Sequence, residues 1–125
     1  MYLNEECETP AYVLGRVFAI LEKKQQDAAG GKLNSTIRDK FFATACANPA
    51  RAFPQLLKLT QHHKPQKKDG SQSFYLDSML QNCLSMIKGE GFPKTQNMDE
   101  QGTFILGYYQ QNAKLWEKKE KREDE

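Results

Sequence analysis

Apolar side chains recur at three- and four-residue intervals in five stretches of the chain, and almost nothing alternates with period two. That pattern leaves helices as the only regular element to build with. Thr9 followed by Pro10 has the form of an N-cap and a first helical residue. Behind it Val13, Leu14, Val17, Phe18 and Leu21 make an apolar stripe, while Glu22, Lys23, Lys24, Gln25 and Gln26 are expected to face water. Gly30-Gly31 supplies the stop. Gly15 inside this helix costs about 1 kcal/mol relative to alanine. Close approach of another helix would offset that cost.

Asn34 or Ser35 can cap a second helix through Ile37, Phe41 and Ala45. Asn48-Pro49 ends it and starts a third, with Pro54 in the first turns and Phe53, Leu56, Leu57 and Thr60 as the buried stripe. Residues 64–73 contain no apolar side chain and predict a mobile connector, with Asp69-Gly70 as a turn. A fourth helix is expected from Phe74 to Lys88 on Leu76, Met79, Leu80, Cys83, Leu84 and Ile87. Gly89-Glu90-Gly91-Phe92-Pro93 breaks it. A fifth starts near Met98–Asp99, with Asp99 and Glu100 favourable at its dipole, and carries Phe104, Ile105, Tyr108, Tyr109, Leu115 and Trp116. Glu117 to Glu125 are charged without exception and are expected to fray. The expected fold is all-α: one domain over residues 1–125, a single bundle of five amphipathic helices without internal repeat.

Size and composition narrow the function classes. A chain of 125 residues makes one domain. No apolar run approaches the roughly 18 residues that span a bilayer, and Glu5, Glu6 and Glu8 stand where a signal peptide would be basic and then apolar. Cys7, Cys46 and Cys83 are few, odd in number and far apart, which predicts free thiols in a reducing cytoplasm. Net charge is +2, but residues 28–94 hold ten basic and four acidic side chains, between ends that are each net acidic. A basic middle of this kind suits a polyanion.

No catalytic or metal constellation stands up, so no enzyme activity and no cofactor are expected. His62-His63 are adjacent and diverge by about 100° on a helix. No Cys-x-x-Cys or His-x-x-x-His spacing occurs, and the paired glycines match no phosphate loop. What remains is a surface. On the third helix Arg51, Gln55, Lys58 and His62 fall within about 60° of one another, opposite Phe53, Leu56 and Leu57. Lys32, Arg38, Lys40, Lys64, Lys67 and Lys68 lie in the neighbouring segments. The candidate nucleic-acid-binding set is therefore Lys32, Arg38, Lys40, Arg51, Lys58, His62 and Lys64, side chains suited to tracking phosphates.

Longer stretches carry a resemblance. Ala11-Tyr12-Val13-Leu14-Gly15-Arg16-Val17-Phe18-Ala19-Ile20-Leu21-Glu22-Lys23 resembles the C-terminal domain of the large subunit of type I-C CRISPR Cascade. Gly31-Lys32-Leu33-Asn34-Ser35-Thr36-Ile37-Arg38-Asp39-Lys40-Phe41-Phe42 continues it, as do Pro49-Ala50-Arg51-Ala52-Phe53-Pro54-Gln55-Leu56-Leu57, His62-His63 and Gly107-Tyr108-Tyr109-Gln110-Gln111. The likeness runs over nearly the whole chain. It implies the tail of that subunit, which the family also makes separately by internal translation as the small subunit. It further implies a non-catalytic helical bundle that braces the guide-RNA-bound backbone in antiviral defence. The implied partners are the Cascade backbone subunits, the large subunit, a neighbouring copy of the chain and the crRNA–target DNA R-loop, with no membrane and no small-molecule ligand.

The competing expectation is a free-standing helical DNA-binding regulator, with the second and third helices posing as a helix-turn-helix. Their Asn48-Pro49 junction has no turn glycine, and Pro54 sits in the would-be recognition helix.

Overall fold

A computed structural model describes residues 3, 6–28, 37–60, 71–87 and 92–124, with side chains for 3, 6–26, 40–59, 76–87 and 92–115. It contains α1 (Pro10–Ala28), α2 (Ile37–Ala47), α3 (Pro49–Thr60), α4 (Ser71–Met86) and α5 (Met98–Asp124), and no strand among the described residues. The all-α expectation is met. The fourth helix starts at Ser71, three residues before the expected Phe74, so residues 71–73 of the expected connector are helical, and the charged run after Trp116, expected to fray, continues α5 as far as Asp124. The Gly30-Gly31 stop, the Asn34/Ser35 cap and residues 64–70 of the connector lie outside the described residues.

α1 is the hub. Every residue from Ala11 to Lys23 is buried, because α2, α3, α4 and α5 all pack against it. The sequence shows one apolar stripe, yet Tyr12, Ala19 and Ile20 on its other sides are covered as well. The expectation that Glu22 and Lys23 face water is corrected here: they are 6% and 4% exposed. Phe18 sits at the centre, with its ring edge-on to Phe42 of α2 at 5.3 Å, Phe53 of α3 at 6.5 Å and Phe104 and Tyr108 of α5 at 6.1 and 5.7 Å. Such edge-to-face contacts add about 0.5–1.5 kcal/mol each beyond area burial. Leu76, Leu80 and Cys83 of α4 complete the core, and Lys24 reaches Asp77 at 2.7 Å across the α1–α4 surface.

The α1–α5 crossing is set by two glycines. A Cβ on Gly15 would lie 2.1 Å from the Phe104 carbonyl oxygen and 2.7 Å from the Tyr108 nitrogen; one on Gly107 would lie 2.3 Å from the Tyr12 oxygen. Both obstacles are backbone, so no rotamer change relieves them. The close approach that Gly15 implied is therefore real, and Gly107 answers it from the other helix.

Polar side chains can pair across the same crossing. The Tyr12 hydroxyl donates to Gln110 Oε1, the Tyr108 hydroxyl donates to Glu22 Oε1, and Arg16 Nε donates to Gln111 Oε1 at 2.8 Å. Arg16 is 3% exposed and Gln111 fully buried. Arg16 Nη1 and Gln111 Nε2 have no partner among the described residues. A buried donor left unmade costs about 1–3 kcal/mol, more when it carries charge.

Helix ends are accounted for locally. Val13 N–H bonds the Thr9 carbonyl, as the Thr9-Pro10 start requires. Asn97 and Glu100 form a reciprocal capping box on α5: Glu100 N–H donates to Asn97 Oδ1 at 2.8 Å, and Asn97 N–H donates to Glu100 Oε1 at 2.9 Å. α2 and α3 meet at Asn48, and Gln96 reads the end of α2. Its N–H bonds the Ala47 carbonyl at 2.9 Å and its Nε2 the Cys46 carbonyl at 2.7 Å.

Gly15→Ala or Gly107→Ala should lower stability by at least about 3 kcal/mol, the upper range for overpacking. Gly102→Ala, exposed with nothing within 4 Å of its added Cβ, should raise it by about 0.5–1 kcal/mol. Urea denaturation followed by circular dichroism reads all three, and equal effects at the three sites would refute the crossing.

The buried polar pair gives a second expectation. Gln111→Leu alone strands the Arg16 guanidinium and should lower stability by about 2–3 kcal/mol. Arg16→Met combined with Gln111→Leu should leave stability unchanged or raised, since a well-packed apolar pair often replaces a buried polar one without loss. The same denaturation series checks this; a double variant weaker than Gln111→Leu would contradict it.

Candidate nucleic-acid interface

α3 builds the surface. Its twelve residues bury Ala52, Phe53 and Leu56 and expose Arg51, Pro54, Gln55, Lys58 and Leu59. The division follows from helical periodicity: residues four and seven positions apart return to one face. Arg51 and Lys58 therefore stand on the solvent side about two turns apart, and Lys58 is in the last turn, where a cation is favoured by the dipole. Neither is ion-paired among the described residues.

The remaining candidates divide plainly. Lys40 is exposed on the first turn of α2, which packs against α3. Arg38 lies in the same turn of α2 backbone, and its side chain is outside the described set. Lys32, His62 and Lys64 lie outside the described residues. The structure thus brings Arg51 and Lys58 onto one exposed face, with Lys40 on the adjoining helix.

Sequence reasoning left Lys94 out of the candidate set. The chain after α4 folds back onto the α2–α3 junction. The Pro93 carbonyl accepts from Ala50 N–H at 2.8 Å, and Gln96 binds the end of α2. Phe92 stacks on Phe53 with centroids 5.3 Å apart. Lys94 and Thr95 are exposed between these anchors. Lys94 is one residue from the Pro93–Ala50 bond on one strand of chain, and Arg51 one residue from it on the other. No short-range motif signals this, because the bond joins residues forty-three positions apart.

The rest of the chemistry is sparse. Cys46 and Cys83 are buried and Cys7 half-buried, all with free thiols. Burial pushes the Cys46 pKa above its ordinary value, and its thiol donates to the Gln101 carbonyl at 3.7 Å. Desolvation keeps that thiol protonated and a poor nucleophile. Among the described residues no group of three His, Cys, Asp or Glu side chains is placed to hold a metal ion. No described helix is long and apolar enough to cross a membrane.

One further surface is apolar. On α5 Met98, Ile105, Leu106 and Tyr109 are 87%, 37%, 42% and 48% exposed. Met98, Gly102, Ile105 and Tyr109 follow four- and three-residue spacing along one line of the helix. Tyr108 and Tyr109, adjacent in sequence, therefore part company: the first is core at 1% exposed and the second lies on the surface.

Comparison with known proteins adds the family. No curated protein matches the chain. The family model described as "CRISPR-associated protein (Cas_Csd1)" matches residues 1–116, which includes all of α1 to α4 and most of α5. A match of that extent places the chain, as a bundle built on a buried α1, in the CRISPR-associated Cas_Csd1 family.

Proposed function

We propose that the chain is a non-catalytic small subunit of the type I-C CRISPR surveillance complex, Cascade. In that role it braces the guide-bound backbone subunits and touches the target and displaced DNA strands. The observation that carries the proposal is the exposed Arg51–Lys58 face of α3, set in a chain of a CRISPR-associated family. Two exposed cations on one helix, neither ion-paired among the described residues, suit the neutralisation of backbone phosphate without reading sequence. The resemblance to the type I-C large-subunit tail supplies the choice of complex.

The exposed apolar line on α5 supports a protein-facing side, since contiguous apolar surface on a small domain marks an interaction site. On this view α3 meets nucleic acid and α5 meets neighbouring subunits. Two features disfavour a free-standing major-groove reader. Pro54 lies exposed within α3, and the α2–α3 junction is the single residue Asn48.

The test replaces Arg51 and Lys58 together by alanine. Surface changes of this kind move stability by no more than about 0.5 kcal/mol. Loss of two phosphate contacts should flatten the plot of log affinity against log salt by about two units. The measurement is DNA affinity across a salt series for complexes that contain the variant at normal stoichiometry. An unchanged slope would remove this face as the DNA contact, and loss of the subunit from the complex would assign the face to assembly.

A further inference from the structure

Lys94 is a surface lysine on a connecting segment, yet its backbone is held as firmly as a helix end. On one side the Pro93 carbonyl accepts from Ala50 N–H at 2.8 Å, while the preceding Phe92 ring stacks on Phe53. On the other side Gln96 is buried, with its N–H and side-chain amide on the last carbonyls of α2 and its own carbonyl accepting from Gln101 Nε2 at 2.9 Å. Only Lys94 and Thr95 stand clear, as a two-residue arch pinned at both feet.

The arch rises beside the start of α3. Arg51 and Lys94 each lie one residue, about 3.8 Å of chain, beyond the groups joined by the Ala50–Pro93 bond. Both side chains are exposed and neither is ion-paired among the described residues. Asp99 and Glu100, the nearest acids in sequence among the described residues, are also exposed. Glu100 is committed to the Asn97 capping box, and no ion pair joins either acid to Lys94 among the described residues. Arg51 stands in the first turn of a twelve-residue helix, where the dipole disfavours a cation that has no anion beside it.

We propose that the Lys94 arch is a fixed phosphate contact that extends the α3 face beyond its N-terminus, so that Lys94, Arg51 and Lys58 meet successive points of one nucleic-acid backbone. This rests on the nucleic-acid function proposed for α3. Pre-organisation is the reason to assign the role to Lys94 above other surface lysines. A lysine on a pinned backbone gives up less freedom on binding than one on a free loop.

The test uses the full chain with a fluorescent, mixed-sequence single-stranded DNA oligonucleotide, its anisotropy read across a salt series. The variants are Lys94→Gln, Arg51→Gln, both together, and Lys24→Gln. The last makes the same change of net charge at a residue paired to Asp77 instead. Lys94→Gln and Arg51→Gln should each flatten the salt slope by about 0.7, and together by about 1.4, the single-strand value per phosphate contact. Lys24→Gln should leave the slope as it is. A flattened slope in Arg51→Gln with none in Lys94→Gln would overturn the arch alone. Equal flattening by Lys24→Gln would overturn it too, by reducing the effect to net charge. Wild-type binding without salt dependence would overturn the arch and the α3 assignment together.

Discussion

The structure depends on how closely the backbones of α1 and α5 approach. Gly15 and Gly107 each leave only a hydrogen where a Cβ would sit within 2.3 Å of a backbone oxygen of the opposite helix. Interior glycines weaken isolated helices, so the crossing replaces local helix preference with interhelical contact. Once the backbones are this close, short polar reaches become possible from one helix to the other. Tyr12 meets Gln110, Arg16 meets Gln111 and Tyr108 meets Glu22 across a sequence separation of 86 to 98 residues. The burial of thirteen successive residues of α1 follows from the same crossing, because α5 closes the side that α2, α3 and α4 leave open.

A buried central helix carrying Arg16, Glu22 and Lys23 needs its polar groups met from outside itself. Glu22 receives the Tyr108 hydroxyl, whereas the Arg16 guanidinium makes one bond and leaves Nη1 unmet among the described residues. The polar seam is thus less complete than the aromatic core beside it, where Phe18 touches rings from three helices. Buried polar pairs often add little net stability over an apolar replacement, whereas each edge-to-face contact of Phe18 adds about 0.5–1.5 kcal/mol beyond area burial.

What was legible in the sequence is what short-range rules govern. Thr9-Pro10 and Asn48-Pro49 mark helix starts because proline's missing N–H is harmless only there. Gly15 stood out because glycine is expensive in mid-helix. Arg51 and Lys58 were placed on a solvent face by periodicity alone, and the structure agrees. What was not legible rests on long-range bonds. Glu22 and Lys23 looked like a wet helix end, since nothing near them in sequence announces the α5 cover. Lys94 and Gln96 fall between the expected helix break at Gly89–Pro93 and the fifth helix, and their value comes from carbonyls of α2 and an amide of α3 more than forty residues away. The Asn97 cap was hidden by Asp99 and Glu100, which suit a helix start equally well.

Because α1 is spent on the core, the exposed surface falls to the outer helices, and these differ in kind. The exposed face of α3 has cations and a proline, with its first turn stapled to the Lys94 arch. The exposed surface of α5 carries an apolar line of Met98, Ile105 and Tyr109 with Leu106 beside it, next to the acidic Asp99 and Glu100 of its first turn, and has a bare glycine at Gly102. Glycine at an open position in mid-helix has no role within the chain; alanine would serve the isolated bundle better. A small residue flanked by exposed Met98, Ile105 and Tyr109 makes sense where another surface comes close, the same reason that Gly15 and Gly107 make sense inside. On the function proposed above, the cationic face of α3 would meet the polyanion and the apolar line of α5 a neighbouring protein, with the buried α1 setting the distance between them.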